Sequence, residues 1–141
     1  MPAKKQQRIK RTTATRVLAE LIERAKEVNA DLTHTYGVER LDVFGSYLKE
    51  DGEYVGDLDI LFRVVQKCPS QAPNRKQFLK DMEEEQLTCE AGGIAMYFYP
   101  YERVLKKLKN GSHTISLHPI DEDNPDGPRK NVFSAVLDWP V

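Results

Sequence analysis

The chain has 141 residues, 40% hydrophobic and 30% charged, with 21 basic against 22 acidic side chains and a net charge of −1. That length suits one domain with a real core, and the even balance gives no general argument for a nucleic-acid partner. No apolar run approaches the ~20 residues of a membrane-spanning helix, so no membrane association is expected.

Cys68 and Cys89 are too far apart for a Cys-x-x-Cys site and too few for a disulfide framework. The basic start is not followed by the apolar core of a signal peptide. The expected location is therefore the cytoplasm, with reduced thiols.

Residues 1–12 carry Lys4, Lys5, Arg8, Lys10 and Arg11 and no acid. They read as a flexible basic arm, able at most to make a weak contact with a phosphate backbone or an acidic partner. Residues 13–141 read as the folded domain. Thr12 to Ala30 has Val17, Leu18, Leu21, Ile22, Ala25 and Val28 at helical spacing. The segment His34 to Gly37 closes it, with Gly37 as the stop. Val38 to Phe44 is a short strand, Tyr47 to Glu50 one helical turn, and Asp51 to Glu53 a loop.

Leu58 to Val65 is the strongest strand, nearly continuous in apolar residues, as befits a central strand covered on both faces. Gln66 to Asn74 is a turn-rich connector, and Arg75 to Leu87 a helix. The run Glu83-Glu84-Glu85 reads as a solvated helix face rather than a metal trap. Gly92-Gly93 precedes a third apolar run, "IAMYFYP", expected as a strand that Pro100 ends. Tyr101 to Leu108 is a short helix, and His113 to Pro119 a half-buried strand. Asp121 to Lys130 is a loop. The C-terminal Phe133, Val136, Leu137 and Trp139 are expected to dock on the body or on a second copy. Helices alternate with strands, which predicts an α/β fold: a small mixed sheet packed against helices.

The chemistry concentrates between Leu41 and Val64. Strand side chains alternate, so Asp57 and Asp59 project to one side and Leu58 to the other. Adjacent carboxylates repel, and sharing a divalent cation relieves the repulsion; hard oxygen ligands suit magnesium. The alternative is two hydrated acids at a strand entrance. Gly45-Ser46 directly follows a strand, where a glycine lets backbone approach a ligand and a hydroxyl can hold phosphate oxygens. A phosphate cradle thus ends one strand and a carboxylate pair begins the next, ten residues later.

"FGSYLKEDGEYVGDLDILF", Phe44 to Phe62, resembles the signature of the DNA polymerase beta-like nucleotidyltransferase superfamily, and the chain resembles its small stand-alone members, the minimal nucleotidyltransferases. The motif covers about 20 residues and the compatible region Val17 to Leu117. The resemblance implies a nucleotidyltransferase-like palm. Gly45 and Ser46 would seat the phosphates of a nucleoside triphosphate, expected to be ATP. Asp57 and Asp59 would be the catalytic carboxylates, holding two magnesium ions, one escorting the triphosphate and the other activating the acceptor hydroxyl. A nucleoside monophosphate would pass to a hydroxyl acceptor, releasing pyrophosphate.

Such families place a third carboxylate on a later strand. In "TISLH" the matching positions hold Ser116 and His118; Glu90, Asp121, Glu122 and Asp123 are the other candidates. The resemblance also implies a separate helical protein subunit or self-association, and for antitoxin-type members of toxin–antitoxin systems an acceptor on the partner protein. The competing readings are a weak or inactive nucleotide- or partner-binding protein of the same fold, and a nucleic-acid accessory protein using the basic arm.

Overall fold

The computed structural model describes residues 8–49, 51–122, 125, 127–140. Within them the chain runs β1 (Ile9–Lys10), α1 (Arg11–Ala30), β2 (Tyr36–Phe44), α2 (Ser46–Lys49), β3 (Tyr54–Val55), β4 (Leu58–Gln66), α3 (Arg75–Leu87), α4 (Ile94–Lys109), β5 (Ile115–Pro119) and β6 (Arg129–Ser134). The fold is mixed α/β. One sheet has the order β5-β4-β2-β6, and β1 pairs with β3 in a second, two-stranded sheet. β2 is antiparallel to both β4 and β6, while β4 and β5 run parallel, joined through α3 and α4.

Alternation on β4 sends Leu58, Ile60, Phe62 and Val64 into one core. That face is covered by Leu18, Leu21, Ala25 and Val28 of α1 and Val104 and Leu108 of α4. On β2 the alternation is interrupted. Val38 pairs with Val64 and Arg40 with Arg63, so Glu39 is an extra residue in the ladder. This bulge allows Val38, Leu41 and Val43 to share the core despite their uneven spacing. It also sends Arg40, Asp42 and Phe44 to the opposite face, beside Asp59 and Leu61 of β4.

α1 ends at Ala30. The Asp31 carboxylate accepts from the Thr33 backbone N–H at 2.9 Å and its hydroxyl at 2.8 Å, turning the chain at once. The expected stop, Gly37, lies instead inside β2. Its lack of a side chain makes room for Asn29 and Leu137, which a Cβ would meet at 2.9 and 3.0 Å. Asn29 uses that space to bridge Val38, accepting from its N–H and donating to its carbonyl.

The expected strand over "IAMYFY" is the start of α4, which runs through Pro100 to Lys109. Pro100, Val104 and Leu108 recur every four residues as its buried side. A strand here would have needed a ladder partner, whereas a helix satisfies its own backbone. Glu83 and Glu84 are exposed as expected, but Glu85 is buried. It accepts from the Thr35 N–H and hydroxyl and pairs with Arg103 at 2.9 Å, which ties α3 to α4 and to the start of β2.

The C-terminal segment docks on the body through Trp139, which packs edge-on to Phe78 while Asn74 donates to its carbonyl. Val136 stays exposed. Among the described residues no helix is long and apolar enough to cross a membrane.

Lys67 lies buried beneath Trp139 and donates to the Val28 and Asp31 carbonyls at the end of α1. Burial pulls its ammonium down to about 8, against opposing pulls from Asp31 and Glu85. Between that value and the ordinary lysine range near 10.4 the unfolded chain holds more protons than the folded one. Stability from this group therefore rises with pH through that window. Urea unfolding should show wild type gaining on Lys67→Met between about pH 8 and 10.

Candidate functional site

The turn after β2 and the entrance to β4 come together because Phe44 and Asp59 are register partners. Gly45, next along β2, has φ +79, a left-handed conformation that favours glycine. A Cβ there would lie 2.6 Å from Asp59 Oδ2, so the backbone of the turn sits directly against that carboxylate. The Gly45 carbonyl accepts from the Leu48 and Lys49 N–H groups and starts the single turn of α2. The Ser46 hydroxyl accepts from the Gly56 N–H at 3.0 Å. Its own proton stays available for donation, so one side chain links the turn to the residue before Asp57.

Asp57 is exposed and Asp59 half-buried, with fully buried Leu58 between them. Burial pushes the Asp59 carboxyl above its ordinary value; His118 opposes this, and the charge of Asp57 adds to it. That mutual repulsion is the electrostatic condition a bound cation would relieve.

On the other side of β4, Asp59 is the register partner of Ser116 on β5. The Ser116 hydroxyl and His118 Nε2 are hydrogen-bonded at 3.0 Å, and the same nitrogen lies 3.7 Å from Asp59 Oδ1. That is an ion-pair distance, too long for a hydrogen bond. Phe44 meets the His118 ring edge-on. One face of the sheet thus carries, side by side, the turn, Asp59, Ser116 and His118.

The other candidate acids among the described residues do not join them. Asp121 pairs with Arg63, four positions along β4 from Asp59 and so roughly 13 Å away along the strand. Glu122 sits just past β5, in the same turn, and is exposed, and Glu90 lies in the connection between α3 and α4. Asp123 falls outside the described residues. Among the described residues no three His, Cys, Asp or Glu side chains converge as a metal-binding set. The two carboxylates have the chemistry to hold one hard cation; among the described residues no third acidic donor joins them.

Sequence reasoning passed over a second polar group on this face. Asp42, fully buried, accepts from Arg40 Nε and Asn131 Nδ2, both at 2.9 Å, and lies 3.5 Å from Arg129. Burial pushes its carboxyl up, but the bonds from Arg40 and Asn131 outweigh that and hold it below the ordinary range. The signal was present: an acid inside the apolar stretch "LDVF" must face away from Leu41 and Val43. Arg129 is the register partner of Phe44, which places a guanidinium-bearing residue beside the turn.

From Arg8 onward the basic segment is part of the fold. β1 pairs with β3, Arg8 donates to the Tyr54 carbonyl, and Arg11 donates to the Gly52 and Tyr47 carbonyls. These bonds clamp the loop that joins the turn to the acid pair. Lys4 and Lys5 lie outside the described residues.

Gly45→Ala should lower the unfolding free energy by about 1–2 kcal/mol from the left-handed backbone alone, and by more once the contact with Asp59 is counted. Ser46→Ala removes the bond to the part-buried Gly56 N–H and should lower it by about 0.5–1.5 kcal/mol. Denaturant titration of the two variants checks both values. Compared with known proteins, the chain matches no family model, no curated protein and no solved structure.

Proposed function

We propose that the chain binds a magnesium–nucleoside triphosphate complex at the Gly45-Ser46 turn and the Asp57–Asp59 pair, and transfers the nucleoside monophosphate to a hydroxyl acceptor. The carrying observation is the close approach of Gly45 to Asp59, with Ser46 tied to Gly56. It leaves a phosphate-binding turn and an acid pair within reach of one ligand. The mixed four-stranded sheet and the motif resemblance support the same reading, with ATP as the nucleotide to try first.

Asp57 and Asp59 would hold the cation, whose chemistry is to offset negative charge gathering on the attacking and leaving oxygens. The turn's glycine admits the phosphates close to the backbone, and the Ser46 hydroxyl donates to one of their oxygens. The acceptor oxygen bonds to the α-phosphorus as the bond to the bridging oxygen breaks, and pyrophosphate leaves. The acceptor's proton would pass to His118 Nε2, which lies 3.7 Å from Asp59 Oδ1. An acceptor hydroxyl on a partner protein, as in antitoxin-type members, is the acceptor class that follows from the resemblance.

Ser116 favours a second reading, in which the chain binds the nucleotide but turns it over feebly. A serine offers neither the charge nor the second oxygen of a carboxylate. Calorimetry with magnesium and ATP, with pyrophosphate release followed in parallel, separates the two. Transfer predicts both signals, each reduced at least about tenfold in Asp57→Asn/Asp59→Asn. Binding without release, with release appearing in Ser116→Asp, establishes the second reading. No magnesium-dependent binding sinks both.

A further inference from the structure

The first six residues of α4, Ile94 to Tyr99, are all apolar or aromatic. A helix segment apolar on every side belongs in an interior. Here the opposite holds. The buried side of α4 begins only at Pro100, and the turns before it stand clear of the core: Ile94 is 77% exposed, Tyr97 68% and Phe98 57%. Leu87, in the last turn of α3, adds to the same end of the helix pair at 67%. Contiguous exposed apolar surface of this kind marks an interaction site.

The charge around it identifies what covers it. From Asp81 to Glu102 the chain has six acids and no lysine or arginine. Glu85 is neutralised by Arg103, but Glu83 and Glu84 on α3 and Glu90 in the connection leading to the apolar turns of α4 are exposed. A second copy using the same patch in a two-fold contact would bring acid against acid. Anionic lipid headgroups would be repelled likewise. A partner with an apolar stripe flanked by lysine or arginine buries the aromatics and satisfies the rim together.

We propose that the end of the α3–α4 pair is a docking surface for a cationic amphipathic helix of a partner protein, with Tyr97 and Phe98 as its apolar anchors. The surface is carried by exposed side chains, so it can be altered without touching the core or the candidate nucleotide site.

The test is fluorescence anisotropy of the full chain with two synthetic helices that share one apolar face, one flanked by lysine and one by glutamate. The Leu–Lys helix should bind at least about tenfold more tightly than the Leu–Glu helix. Tyr97→Asp/Phe98→Asp should abolish that binding with thermal unfolding unchanged. Glu83→Lys/Glu84→Lys/Glu90→Lys should invert the preference. Equal binding of the two helices, binding of neither, or indifference to the aspartate pair overturns the proposal. So does a wild-type dimer in light scattering that the aspartate pair dissolves, which assigns the patch to a second copy. Flotation with phosphatidylcholine–phosphatidylserine vesicles, lost in the same variant, overturns it in favour of lipid.

Discussion

The antiparallel register of β2 on β4 is the constraint on which the remaining geometry rests. Pairing Phe44 with Asp59 sets the end of one strand against the second acid of the other. It brings the Gly45 backbone onto the Asp59 carboxylate and leaves Ser46 within reach of Gly56. The same register aligns Val43 with Ile60 and Val38 with Val64, so the core and the polar face are set by one alignment. A slip of one residue would separate the turn from the acids and turn the core residues outward together.

Around that alignment the polar face is built in two parts. At the turn end, Asp59 stands between the Gly45-Ser46 turn and the Ser116–His118 pair, with its carboxyl pushed up by burial. Further along β2, Asp42 is fully buried, its Oδ1 accepting from Arg40 and Asn131 and its Oδ2 3.5 Å from Arg129 without a hydrogen bond, with its carboxyl held down. Two acids on one sheet face therefore have opposite electrostatic characters. Asp42 is compensated by the protein itself and serves the structure. Asp59 is left partly uncompensated, with burial and the charge of Asp57 both raising its carboxyl.

Much of this was legible in the sequence where a single period dominated. Leu58 to Val65 has the apolar continuity of a covered strand and forms β4; α3 occupies the residues its helical spacing predicted. The neighbourhood of Gly45, Ser46, Asp57 and Asp59 followed from a strand end and a strand start placed ten residues apart. What stayed hidden depended on partners distant in sequence. "IAMYFY" has no polar residue to reveal a period, so its helical state was invisible and its exposure more so. Glu85 looked like its two exposed neighbours because Thr35 and Arg103, which bury it, lie far away along the chain. Gly37 read as a helix stop because the approach of Asn29 and Leu137 leaves no local trace.

The extra residue at Glu39 carries a consequence for how this protein can vary. Upstream of it, β2 aims one parity of residue at the helices; downstream, it aims the other. Substitutions along the strand alter one side chain at a time. Pulling the bulge straight with Glu39 retained would instead rotate Leu41 and Val43 out and Asp42 in, and would carry the glycine turn away from its acid, whereas deleting Glu39 would leave Phe44 opposite Asp59. The strand thus depends on the bulge rather than on the count: a descendant of the same length keeps these faces only by keeping the bulge, and one that lacks Glu39 keeps them without it.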